Sequence, residues 1–349
     1  MASAATAVAG SGNGARLRLR LTGTVLAASV LGLLLALDDP YLLRLATLGA
    51  IFGILALGLN LTAGHLGLFD FGYVLYFGLG GYTTALLTLR AGWSWEASLV
   101  VAIAVAGIAG FVVGVVVLRL RGPYFVIATF SFLTVAYYLA INWRELTNGP
   151  LGLIGLPAAS FAIPGLGRID ALEPRAALGI ALTGLAAAAA VVWLLTGSRV
   201  GRAWHAIRDN EDLAASVGID ATRHAFLALV VSAALGGLGG SIYAQYIAIV
   251  TPEIFAFGHM VSVLLMVVIG GTGTFAGPIL GAFLVESVPE FLRLAEDLRL
   301  PIFGLVLIAT IVFAPRGLVA LRPRRPRRTP PARPSVPAPP PASPRPADG

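Results

Sequence analysis

Asp70 is the residue of this chain best placed to do chemistry. It stands in Gly64-His65-Leu66-Gly67-Leu68-Phe69-Asp70-Phe71-Gly72-Tyr73, inside or at the mouth of an apolar run. A carboxylate there is costly unless it binds a ligand, relays a proton or pairs with a neighbour. The structural alternative is a cap, with the acid at the start of the helix that follows. Gly58 and Asn60, just upstream, suggest an irregular helix end lining a polar path. A second polar stretch runs from Arg199 to Arg223 and carries eight charged residues plus His205 between two apolar runs. It cannot sit in hydrocarbon. Asn210 is a good N-cap, Glu211 and Asp212 place acid in a first turn, and Leu213, Ala214 and Ala215 continue a helix. Gly218 stands where a left-handed residue ends one. This pattern predicts a short helix on the membrane surface, suited to docking a soluble partner rather than to catalysis.

The remaining residues exclude more than they offer. Cysteine is absent, which removes disulfides, thiolate metal sites and cysteine nucleophiles. All 24 basic residues are arginine, so a phosphate-binding P-loop lysine and a Schiff-base lysine are both missing. The four histidines show no metal-ligand spacing, and neither Gly-x-Ser-x-Gly nor His-Glu-x-x-His occurs. No cofactor, metal or catalytic centre is expected. Thr251-Pro252-Glu253 reads as a helix start, with a ligand contact at Glu253 as the lesser reading.

The elements that must position these residues are apolar. The sequence is 57% hydrophobic and 12% charged, with a mean hydropathy of +0.87, where a soluble domain carries roughly twice that charge. Apolar runs fall at about 21–37, 41–61, 66–89, 97–118, 123–141, 176–196, 224–249, 257–271, 275–289 and 301–315. The expectation is an all-α polytopic transmembrane bundle of eight to ten spans. Residues 257–289 form either two short spans or a re-entrant pair. Arginines cluster in alternate loops and in the tail, which puts both termini and residues 199–223 on the cytoplasmic side and 142–175 outside. Residues 1–20 form a disordered lead, 21–320 the membrane domain, and 321–349 a disordered tail holding half of the 22 prolines. The tail arginines abut a span and suit anionic lipid better than nucleic acid. The pairs Gly49/Gly53, Gly110/Gly114, Gly236/Gly240 and Gly277/Gly281 match small-x-x-x-small contacts, either packing within the chain or a dimer face.

From about Leu57 to Val319 the chain resembles the permeases of branched-chain amino-acid ABC importers, the Liv type. The resemblance rests on Gly58-Leu59-Asn60-Leu61 with Gly64 and Gly67, and on Asp70-Phe71-Gly72-Tyr73 through Phe77, Gly80, Gly81 and Tyr82. Arg119-Leu120-Arg121-Gly122-Pro123-Tyr124-Phe125 with Thr129, and Gly201-Arg202-Ala203-Trp204 followed by Ile207-Arg208-Asp209-Asn210-Glu211, carry it further. The segment from Asp212 through Ala214 and Ala215 to Gly218 is similar to the coupling loop of ABC importer permeases, and departs from the wider Glu-Ala-Ala-x-x-x-Gly pattern at its first two positions. Gly270 to Thr274 and Pro315-Arg316-Gly317 are further points of likeness. The Asp-x-Gly-Tyr signature is closer to the M-type subunit than to the urea-importer version.

The resemblance implies an inner-membrane subunit driven by a separate ATPase that binds the ATP. A second homologous permease and a periplasmic binding protein would be its other partners. It assigns Gly201, Arg202, Ala203, Arg208, Asn210, Glu211, Asp212, Ala214, Ala215 and Gly218 to ATPase coupling. Asn60, Asp70, Gly72, Tyr73, Phe77, Tyr82, Tyr124 and Thr129 become candidates for the translocation path. A urea or short-amide permease of the same family is the alternative. An ion-coupled secondary transporter is the rival class, and its mark would be paired intramembrane charges.

Overall fold

The computed structural model describes residues 39–291 apart from 121, 158–159, 164–166 and 171–172. The expected first span at 21–37, the last at 301–315, the lead and the tail lie outside the described residues.

Helix α1 (Pro40–Leu59) opens with Asp39 accepting from the Tyr41 N–H at 2.9 Å and with Pro40 in the first turn, where the missing proline N–H costs nothing. It continues as a π-helical segment, Asn60–Leu66, closed by Gly67 at φ 86°. The other long helices are α2 (Val74–Arg90), α3 (Trp95–Val117), α4 (Pro123–Asn142) and α5 (Pro174–Gly197). After two short helices, α6 (Arg199–Asp209) and α7 (Glu211–Ser216), comes α8 (Ala221–Ile247). The described chain ends with α9 (Phe257–Gly270) and α10 (Gly277–Phe291). The bundle is all-α with several helices long and apolar enough to cross a membrane, as the hydropathy predicts.

Helix α1 is the axis. In its most apolar stretch 78% of the residues are buried within the chain, against 22% in α4. Small residues let its neighbours close in. On α1, Gly49 faces Phe283 of α10 and Gly53 faces Leu185 of α5; on α8, Gly239 faces Leu55 and Ile51 of α1. Helix α8 is wedged between α2 and α3: Gly236 and Gly240 meet Tyr76 and Phe77, Gly237 meets Ala102 and Ala106, and Gly110 and Gly114 of α3 meet Ala233, Leu229 and Phe226. Gly277 and Gly281 of α10 meet Gly270 and Met266 of α9. All four glycine pairs are therefore packing seams within the chain. Polar stitches reinforce them, with Thr84 Oγ1 donating to Ser241 Oγ at 2.7 Å and Ser232 Oγ to the Gly58 carbonyl at 2.7 Å.

The connections sort to two ends. Residues 67–73, 198–220 and 271–276 meet at one end, where Asn60 and Arg208 bond across them. At the other, Arg90 Nη2 donates to the Glu145 and Leu146 carbonyls at 2.6 and 2.8 Å. There Leu153–Ile154 (β1) pairs antiparallel with Ile249–Val250, and Ser160–Ile163 (β2) with Gly167–Asp170 (β3). The segment 142–175 is thus more than a turn-rich loop. Its backbone reverses at Asn148, Gly149 and Gly152, all with positive φ, and β1 finds main-chain partners in 249–250, labelled β4.

Helices α9 and α10 are two short antiparallel helices whose turn meets the end held by Asn60. At 14 residues α9 spans ~21 Å, short of the ~30 Å hydrocarbon core. The irregular segment Ile249–Ala256 supplies the missing length. It runs down inside the bundle, where Phe255 stacks on Tyr82 of α2 at 5.6 Å and 9°. Thr251 and Pro252 start a four-residue 3-10 turn, Pro252–Phe255, rather than an α-helix, and Thr251 makes no side-chain cap.

Candidate coupling and translocation sites

The end where residues 67–73, 198–220 and 271–276 meet is built from local chain chemistry. Ser198 caps α6, its hydroxyl accepting from the Val200 N–H at 3.1 Å. Trp204 is buried on the inner face of α6, with Nε1 donating to the His224 carbonyl at 3.1 Å. Asn210 breaks α6 with extended φ/ψ and caps α7, its Oδ1 accepting from the Leu213 N–H at 2.9 Å. Glu211 and Asp212 lie in the first turn of α7, where the helix dipole favours acid. Gly218 takes φ 85°, and the Ile219 N–H returns to the Ala214 carbonyl at 3.0 Å. The expected single surface helix is a pair, hinged at Asn210, and its predicted cap and stop sit where the sequence puts them. Asp220 then caps α8 and pairs with Arg223 Nε at 2.9 Å.

The structure divides the coupling candidates by face. Arg202, Glu211, Asp212, Ala215 and Gly218 are exposed, Arg202 Nη1 donating to the Ser198 carbonyl at 3.2 Å. Ala203 is half-buried. Gly201 is buried against the Thr196 backbone. Ala214, expected to enter a partner's groove, is 2% exposed and packs into its own chain. Arg208, expected at the rim, is exposed, and its Nη1 reaches across to donate to the Gly64 carbonyl. Beside it the rings of His65 and His205 meet edge-on at 5.3 Å. Asn60, fully buried, is used at both ends: Nδ2 donates to the Thr274 carbonyl and Oδ1 accepts from the Gly273 N–H, both at 2.8 Å. Helix α6, the end of α1 and the α9–α10 turn form one hydrogen-bonded cluster.

The path candidates are mostly core. Asp70 is fully buried in the turn before α2, with Oδ1 accepting from the Gly72 N–H at 2.9 Å, while Oδ2 has no hydrogen-bond partner among the described residues. Helix α2 itself carries no side-chain cap, so this bond closes a local turn rather than capping the helix. Gly72 lets this loop approach the Thr129 carbonyl, and Thr129 Oγ1 accepts from the Phe71 N–H at 3.2 Å. Tyr73 and Phe77 are buried between α1, α2 and α8, and Tyr82 lies under Phe255. Among the eight, Tyr124 is the one that stands well out, at the start of α4. Seven of these residues therefore hold the subunit together and do not line an open surface of it.

The open surface is on α4. Ser131, Thr134, Tyr138 and Asn142 repeat at helical spacing down one exposed face, with Phe130, Val135 and Leu139 beside them, around an open groove of ≈ 610 Å³. On α3 the apolar side chains Val100, Ile108, Phe111, Val112, Val115 and Val116 are well exposed.

Residues 41–314 match the family described as branched-chain amino acid transport system / permease component. The chain belongs to that family. It is 32% identical over 314 residues to the high-affinity branched-chain amino acid transport system permease protein LivM of Escherichia coli K12, covering 83% of this chain and 73% of the relative. Identity is also 32% over 297 residues to LivM of Salmonella typhimurium LT2, covering 79% and 69%. The autoinducer 2 import system permease protein LsrC of Enterobacter sp. 638 is 29% identical over 313 residues, covering 84% and 85%. No solved structure matches the chain.

In this permease the sequence reading missed two classes of residue. Leu213 and Val217 are 65% and 71% exposed on the outer face of α7. The signal was available in two apolar residues four apart in an otherwise polar segment. The α4 stripe is the other class. Its signal, hydroxyls and an amide recurring every three to four residues within an apolar run, was also on the page of the sequence.

Proposed function

We propose that this permease is one of two membrane subunits of an ABC importer for branched-chain or related amino acids. A separate ATPase docks on α6 and α7, a binding protein delivers the substrate at the opposite end, and a homologous permease packs along α4. The observation that carries the reading is the outward face of α7. Leu213 and Val217 offer an apolar contact, and the exposed acids Glu211 and Asp212 precede them in the first turn of the same helix. With no lysine for a P-loop, force must come from another chain. The named LivM relatives support branched-chain amino acids as cargo.

The LsrC relatives favour a second cargo, the small hydroxylated autoinducer 2. The deciding experiment is uptake of labelled leucine and of autoinducer 2 by cells carrying the whole import system, with and without its ATPase. Leucine uptake that needs the ATPase is the expected result. Uptake driven by an ion gradient without the ATPase would overturn the proposal.

A further inference from the structure

Glu253 lies on the irregular segment between α8 and α9, and its carboxylate is exposed. Its Oε1 accepts from the Tyr137 hydroxyl at 3.2 Å. Tyr137 is five residues before the end of α4, ~7.5 Å below it at the helical rise. The carboxylate therefore sits at the depth of the outer half of the span, and no described basic residue makes an ion pair with it. Besides Tyr137, His259 of α9 is a titratable group that interacts with it. A carboxylate at that depth does not face lipid, and acids within spans turn to a bundle interior or a water-filled path. Non-helical backbone at membrane depth obeys the same rule, and Glu253 sits on such backbone.

The surroundings match one kind of solute. Tyr137 stacks edge-on with Tyr138 at 5.6 Å, which joins Glu253 to the α4 stripe. Ser131 and Thr134 donate to the Ile127 and Phe130 carbonyls, and Asn142 to Tyr138. Their oxygens keep acceptor capacity towards the groove. Val135 and Leu139 supply apolar contact in the same groove. The groove is walled on one side only, which a second permease along α4 would close.

We infer that Glu253, steadied by Tyr137, binds the ammonium group of the transported zwitterion on this subunit's wall of the path. The hydroxyl-bearing, partly aliphatic face of α4 then takes the rest of the molecule. This inference rests on the amino-acid reading above.

The test uses the whole importer, with its ATPase, second permease and binding protein, in proteoliposomes, and labelled leucine as probe. Glu253→Gln keeps shape and removes charge. Leucine import is expected to fall about 10-fold or more, the cost of losing one charged partner in a desolvated contact. ATP hydrolysis stimulated by the leucine-loaded binding protein is expected to stay within about twofold. Glu253→Asp should restore most of the import, and Tyr137→Phe should cost about two- to threefold through the lost hydrogen bond. Wild-type import by Glu253→Gln overturns the inference, as does parallel loss of import and stimulated hydrolysis, which would mark a docking or structural role. Failure of the wild-type importer to move leucine at all defeats the amino-acid reading itself and is distinguishable from both.

Discussion

The inner end of α1 and the outer face of α4 carry similar polar residues and use them in opposite ways. At the inner end the polar atoms are spent on other segments: Asn60 ties α1 to the α9–α10 turn and Arg208 ties α6 to α1. On α4 the hydroxyls and amide bond back to their own helix and leave their outward side to whatever lies beyond the chain. One region is a linkage within the subunit. The other is a surface completed from outside. Of the residues that draw attention in the sequence, Asn60 belongs to the first kind, while Asp70 bonds within its own turn.

The sharpest way to break this contrast is Asn60→Leu. It leaves the half-buried Gly273 N–H and Thr274 carbonyl without their partner, and a loss of about 1–3 kcal/mol is expected. A lowered melting temperature of the detergent-solubilised permease would show it. An unchanged melting temperature would mean the cluster bears no load. The double variant Leu213→Ser, Val217→Ser comes next. It should leave the melting temperature within about 2 °C, since both side chains are exposed, yet weaken ATPase binding about 10-fold or more. Binding measured by titration with the purified ATPase checks this, and unaltered affinity would move the docking face elsewhere. The smallest effect belongs to Ser131→Ala. Its hydroxyl merely returns to the Ile127 carbonyl on an exposed face, so stability should change by less than about 0.5 kcal/mol. A larger drop in thermal stability would show that α4 is structural after all.

What the sequence disclosed follows the range of the interaction. The Asn210 cap and the left-handed Gly218 depend on residues within four positions, and both are legible from the chain alone. Glycine spacing announces close helix contacts, but only three-dimensional packing assigns Gly236 and Gly240 to α2 rather than to another subunit. Arg208 reads as a surface charge and is exposed, but nothing nearby in sequence says that Gly64, 144 positions away, offers it a carbonyl. Helix α1 is apolar on all sides, so periodicity cannot tell which of its polar residues looks into the core. Glu253 is the reverse case. Its local signal is a plain helix start, and its interest comes from Tyr137, 116 positions away.

The Pro40–Leu66 rod has a pole as well as a length. Its aligned peptide dipoles leave a partial negative charge at the end where the Arg208 guanidinium rests. The α6–α7 pair is thereby tethered to the most enclosed helix of the bundle, and through Asn60 that helix is tethered in turn to the α9–α10 turn.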